Sequence, residues 1–203
     1  CRTSPAARSR IVPAFINRIG TAVPRNEVHD FFLRFAAARL ADDPRRQAVF
    51  GRMAKGSGIA RRFSTIVPSD DVASGTVDRA GHFRAGRFPG TGERMAMFER
   101  AAPDLAVEAV KRLELGSEVG RITHLVVTSC TGFSAPGIDL EILARCGLPG
   151  SVERTMIGFM GCYAAINGLK TARHIVRSEP EARVLVVSIE LCTLHLKETT
   201  DLE

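Results

Sequence analysis

The chain has 203 residues, 45% hydrophobic and 25% charged, which is too apolar for a disordered protein and long enough to bury a core. Its longest apolar runs, such as 184–187, are strand-sized and far short of the roughly 20 residues that cross a bilayer, and the opening CRTSPAARSRIVPAF lacks the apolar centre of a secretion signal. A net charge of +6 leans towards anionic partners, but one Tyr and no Trp leave few stacking platforms for nucleic acid, and phosphorylated small molecules fit equally well.

Residues 16–24 (INRIGTAVP) read as a strand ending at a proline turn, after which Asn26 is placed to cap a helix through VHDFFLRFAAARL. Its apolar stripe is Val28, Phe31, Phe32, Phe35 and Leu40. Residues 45–55 form a basic helical stretch. Residues 64–95, rich in Gly, Pro, Ser and Asp, read as an irregular surface excursion. Helical periodicity returns over 95–115. A strand (124–130), a helix (138–148) closed by Gly147, a strand (154–159), a helix (162–178) and a strand (182–191) follow. That alternation predicts an α/β fold with a mostly parallel sheet flanked by helices. No internal repeat is visible.

Ligands of open α/β sheets bind beyond the carboxyl ends of the strands. Three successive strands run out at Cys130, at Cys162 and at Cys192, so parallel pairing brings three thiols to one sheet edge. The five cysteines (with Cys1 and Cys146) form an odd set without a C-x-x-C pair. Free thiols in a reducing cytosol fit better than a disulfide framework or a metal site. Cys162 follows Gly161 and opens an amphipathic helix, where unpaired N–H groups and the helix dipole favour thiolate. The alternative is a buried structural cysteine. A thiolate nucleophile needs a base nearby. His174 is twelve residues along the same helix, roughly 18 Å away at the usual rise, and His124 lies at the far end of its strand. His195 follows the third strand and reads as a pocket-wall or solvent-facing histidine, with a catalytic base as the other reading.

TSCTGFSAPGIDLEIL, IGFMGCYAAINGLKTARHIV and EARVLVVSIELCTLHL, supported by IGTAVPRNEV and GRMAKGSGIARRFS, resemble the type III polyketide synthases. These are the chalcone synthase-like branch of the thiolase superfamily. The resemblance implies a thiolase-like fold, with 1–203 as its nucleophile-bearing N-terminal half. It implies Cys162 as the acyl acceptor, a pocket lined by Cys130, Thr131, Glu190, Cys192 and His195, and coenzyme A phosphates on Arg52. The family's next basic position falls on Gly56, with Lys55 adjacent as its substitute; a solvated basic face is the alternative for this stretch. Plant members carry threonines at Cys130 and Cys192, and at Ala135 a methionine that reaches into the partner's cavity. The two cysteines resemble the bacterial branch that primes with malonyl units, and acyl-primed pyrone or resorcinol formation stays open.

The implied reaction is decarboxylative condensation. An acyl starter moves from coenzyme A to Cys162, malonyl-coenzyme A extends it, and the product cyclises to an aromatic or pyrone. The implied enzyme is a cytoplasmic homodimer acting on coenzyme A thioesters, with no further cofactor, no metal, no nucleic acid and no membrane. The chain lacks an initiator Met and ends at Glu203. The family's catalytic His and Asn are expected in a second half, and residues 1–203 alone are expected to be inactive. A ketoacyl synthase of fatty-acid type, or a catalytically incomplete fragment that pairs with a partner half, are the alternatives.

Overall fold

Three parallel strands carry the centre of the molecule, of which the computed structural model describes residues 13–198. They are β3 (His124–Ser129), β4 (Glu153–Gly158) and β5 (Val184–Ser188), in the order β4-β3-β5. Ser129 is level with Gly158, and Thr128 with Ser188. All six residues of β3 are buried, the apolar Leu125, Val126 and Val127 together with polar His124, Thr128 and Ser129, because a central parallel strand is covered on both faces.

The two faces are covered by different helices. On one, α3 (Thr91–Lys111) and α4 (Ile138–Cys146) bury Phe98, Ala102, Ala106, Val110 and Ile142 with Leu125, Val127, Leu185 and Val187 of the sheet. Alternation along the strands turns Val126, Thr128 and Val186 to the other face. There α5 (Ala164–Ser178) packs so closely that a β-carbon on Gly168 would lie 2.8 Å from Thr128 Cγ2. Asp139, in the first turn of α4, is ion-paired with Arg154 and so fastens that helix to β4. Gly147 ends α4 in the left-handed conformation, φ 68°, as the sequence predicts.

The strand expected over 16–24 is not formed; these residues join no ladder among the described residues, and Ile16, Ile19 and Val23 are exposed. Side chains take the place of ladder bonds. Arg112 donates to the Thr21 carbonyl, Arg18 donates to that of Leu113, and Gly20 rests against the carbonyl of Ala109. Nor does Asn26 cap a helix. It lies in β1 (Asn26–Glu27), which pairs antiparallel with β2 (Phe63–Ser64), and its amide donates to the Ser64 carbonyl. The start of α1 (His29–Arg39) is satisfied instead by Glu27, whose carboxylate accepts from the His29 N–H at 2.8 Å and is thereby held below the usual range. Then α2 (Pro44–Gly56) packs Phe50 edge-on against Phe32. The long helix α3 begins at Thr91, four residues before the periodicity suggests, because Glu93 turns back to accept from the Gly90 N–H.

The excursion between β2 and α3 is irregular, as its composition predicts, yet it has an anchor. Asp78 is buried and accepts from the Phe83 N–H at 2.7 Å and from the His82 N–H and ring. Burial alone would push this carboxyl up; the bonds from Phe83 and His82 outweigh it and hold the carboxyl below its ordinary value. Replacing Asp78 with Ala leaves the Phe83 N–H without a partner, and a loss of about 1–3 kcal/mol is expected in denaturant unfolding. Because the folded carboxyl titrates below the unfolded one, its contribution is full above about pH 4 and fades as pH falls through the folded value. Wild-type and Asp78→Ala stabilities should therefore converge on acidification.

Candidate functional site

The carboxyl end of the sheet is organised around one side chain. Glu190, two residues past β5, reaches across to the end of β3 and accepts from the backbone N–H of Cys130 at 2.9 Å and of Thr131 at 3.0 Å. It also accepts from the Thr131 hydroxyl at 2.6 Å. Two successive N–H groups converging on one anion form a small nest, here filled from within the chain. The Thr131 hydroxyl in turn accepts from the Leu191 N–H, and its carbonyl accepts from His195 Nε2 at 2.7 Å. A carbonyl can only accept, so Nε2 carries the proton and Nδ1 of neutral His195 keeps the lone pair.

The turn after β4 is strained. Phe159 has φ 56°, rare for a residue with a side chain, and Gly161 has φ 62°. Nothing lies within 4 Å of a β-carbon built on Gly161, so the glycine serves the backbone conformation rather than a close contact. A 3-10 turn, Gly161–Tyr163, then leads into α5 and leaves Cys162 exposed.

The structure brings the three strand-end cysteines within electrostatic reach of one another. Burial pushes the Cys130 thiol up to about 11, followed by the hydrogen bond and charge of Glu190 and then the charges of Cys162 and Cys192. Cys192 is also pushed up, by burial first, then by Glu190 and Cys162. Both flanking thiols are therefore held further from thiolate than an ordinary cysteine. Environment thus distinguishes three identical groups: Cys130 is half-buried and strongly pushed up, Cys192 is exposed and pushed up, and Cys162 is exposed on the strained turn.

The other expected residues lie elsewhere. Arg52 and Lys55 are exposed on α2. Lys55 lines a cavity of about 500 Å³ between α1 and α2, with His29, Leu33, Phe50, Ala54 and Ile59. At Gly56 a β-carbon would meet nothing, so a longer side chain has room there. His124 is buried at the opposite end of the sheet, 3.7 Å from the carboxylates of Glu153 and Glu179. Among the described residues no group of three His, Cys, Asp or Glu side chains is placed to hold a metal, and no helix is long and apolar enough to cross a membrane. Two features of this edge escape the sequence. Phe133 and Phe159 form an exposed aromatic pair with ring centroids 5.8 Å apart, and the Ser129 hydroxyl is buried with no hydrogen-bond partner among the described residues.

Residues 3–202 match the family model described as chalcone and stilbene synthases, N-terminal domain. An alpha-pyrone synthesis polyketide synthase-like protein of Mycobacterium tuberculosis is 36% identical over 188 residues, 90% of this chain and 45% of the relative. Bisdemethoxycurcumin synthase of Oryza sativa subsp. japonica is 32% identical over 192 residues, with the same coverages of 90% and 45%. The chain thus spans about half the length of the curated relatives it matches. Among solved structures, the C-terminal type III polyketide synthase domain of a type I/III hybrid from Dictyostelium superposes with a TM-score of 0.73 at 24% identity, over 92% of this chain and 50% of that one. CsyB complexed with CoA-SH gives 0.70 at 24% identity, over 87% and 46%. These likenesses establish the fold as the N-terminal portion of a thiolase-like α/β architecture.

Exchange of Glu190 for Gln tests the organising role of the carboxylate. The amide keeps one acceptor oxygen but loses the charge that helps to hold Cys130 protonated. The pH profile of Cys130 alkylation, followed by peptide mass spectrometry, should move to lower pH. A stability loss of about 1.5–3 kcal/mol should accompany it, the usual worth of a hydrogen bond to a charged group. An unchanged profile would remove Glu190 as a cause.

Proposed function

This chain belongs to the chalcone and stilbene synthase family, as its N-terminal domain, and on that basis we propose that it carries the acyl-accepting nucleophile of a type III polyketide synthase. The observation that supports this most directly is the strand-end cluster. Cys162 is exposed at the head of α5, and the thiols of Cys130 and Cys192 at the neighbouring strand ends are both pushed up. In this reading Cys162 thiolate attacks the carbonyl of an acyl-coenzyme A, the coenzyme thiolate leaves, and the acyl group stays on sulfur. Malonyl-coenzyme A then loses carbon dioxide, and its enolate carbon attacks the bound acyl carbonyl, lengthening the chain before cyclisation.

The remaining residues divide between wall and anchor. Cys130, Thr131, Glu190, Cys192 and His195 form the side of the pocket that this chain contributes. His195, held through Nε2, presents Nδ1 as an acceptor. Arg52 and Lys55 meet the coenzyme's phosphates, where cationic side chains act mainly as remote binding contacts. Developing enolate and thioester oxyanions need donors placed to meet them; in this reading a His and an Asn from the remainder of the enzyme supply them. The working enzyme is a cytoplasmic homodimer that uses acyl- and malonyl-coenzyme A as substrates and needs no metal or further cofactor.

Incubation of the purified enzyme with radiolabelled malonyl-coenzyme A, without a carrier protein, tests the reading. Labelled polyketide should form, and Cys162→Ala should reduce it to background while a protein-bound acyl group disappears from the peptide spanning 155–170. Product formation only with an acyl-carrier protein would transfer the chain to the fatty-acid type of ketoacyl synthase. Arg52→Ala should raise KM for the acyl-coenzyme A about tenfold with little change in kcat, because a contact distant from the reacting atoms binds ground and transition states alike. An unchanged KM would leave the α2 basic stretch as solvated surface.

A further inference from the structure

We propose that the cavity between α1 and α2 binds a medium-chain, unbranched aliphatic carboxylate. Two helices packed side by side normally bury a stripe of apolar side chains between them. Neither α1 nor α2 has a fully buried residue. Between them lies instead the cavity of about 500 Å³, well inside the range of about 300–1,000 Å³ usual for small-molecule pockets. Leu33 and Ala37 of α1, Phe50 and Ala54 of α2, and Ile59 beyond it make its lining mainly apolar.

The cavity has a closed end and a polar end. Gln47 Nε2 donates to the Ala37 carbonyl at 3.1 Å, which ties the last turn of α1 to the first of α2 and closes that end. His29, at the start of α1, and Lys55, in the last turn of α2, line the other. Each helix runs eight residues between the two ends, about 12 Å at the usual rise. An extended chain advances about 1.2 Å per bond, so about ten carbons reach from one end to the other. The polar end offers donors. Arg62 donates to His29 Nδ1, and a guanidinium can only donate, so the ring carries its proton on Nε2. That N–H and the Lys55 ammonium are two donors for the two oxygens of a carboxylate, and no Asp or Glu lines the cavity to oppose it. An alcohol of the same length would meet the same walls but leave the ammonium without a counter-charge.

The purified protein is titrated calorimetrically with hexanoate, octanoate, decanoate and tetradecanoate. Binding should tighten by up to about fourfold per added methylene as far as decanoate, and gain little beyond it. Decanol should bind about tenfold more weakly than decanoate, and Lys55→Ala should weaken decanoate by a similar factor, the low end for a hydrogen bond to a charged group. Arg45→Ala, which removes a charge from α2 outside the cavity lining, should leave decanoate binding unchanged. Gly51 supplies the decisive variant. It lines the cavity from within α2, and nothing lies within 4 Å of a β-carbon built on it. Gly51→Leu therefore fills the cavity without a clash and replaces a poor helix former. It should abolish decanoate binding with the thermal midpoint unchanged or raised. Decanoate carries no phosphate, so binding that needs both Lys55 and the open space at Gly51 is separable from any coenzyme contact of Lys55. Binding that survives Gly51→Leu, no binding of millimolar decanoate to the wild type, or affinity independent of chain length would each overturn the proposal. So would a wild-type dimer in ultracentrifugation that Gly51→Leu converts to monomer, because a second copy would then be the occupant.

Discussion

The carboxyl edge of this sheet depends on one anion meeting two backbone donors. Beyond the last paired residues of β3 and β5, ladder bonding stops, and the N–H groups of Cys130 and Thr131 would otherwise lie against a partly buried surface without partners. Glu190 satisfies both and takes the Thr131 hydroxyl as well. Such charge-assisted bonds are shorter and stronger than neutral ones, and here they join two strand ends whose residues lie sixty positions apart. From that junction the arrangement spreads outward. Thr131 fixes Leu191 and His195, the carboxylate's charge bears on Cys130 and Cys192, and what stands open is the Cys162 turn.

The same edge shows how a fold gives one residue type several roles. No cysteine here differs from another in composition; burial, one carboxylate and one strained turn differentiate them. A nucleophile must be approachable, and the surrounding groups must not compete for its electrophile. Holding two neighbours further from thiolate serves the second condition while leaving their small, polarisable side chains in the wall.

Much of the central architecture could be read from residue order. HLVVTSC announces a buried parallel strand because its centre is β-branched and apolar with no formal charge, and Gly147 announces a helix stop because few other residues tolerate the backbone there. The amino-terminal segment misled for a physical reason. INRIGTAVP has the apolar content of a strand, but Arg112 satisfies its Thr21 carbonyl from the side, and its own Arg18 is turned to the Leu113 carbonyl. Asn26 misled similarly: a good cap in isolation, it was drawn into a two-strand pair by the Ser64 carbonyl. At the site, the cysteine positions follow from the strand–helix rhythm, whereas the Glu190 nest does not, because backbone donors leave no mark in a sequence. A left-handed Phe159 leaves none either. Arg52 and Lys55 were distinguished by resemblance alone; on α2 they are exposed much as Arg45 and Arg46 are.

Strand order also dictates when the site can come into being. The central strand is made before both of its partners, and its bond to Glu190 spans sixty residues of chain. During synthesis β3 emerges with its apolar faces uncovered, and the first neighbour to arrive, β4, covers only one side of it. The nest cannot close until residue 190 has left the ribosome, so the thiols stay unsorted through most of the chain's passage. Non-local pairing of this kind is slow to form and leaves strand edges open to other chains. Truncations upstream of Glu190 should therefore give not a weakened version of this edge but an aggregation-prone chain with no such edge at all.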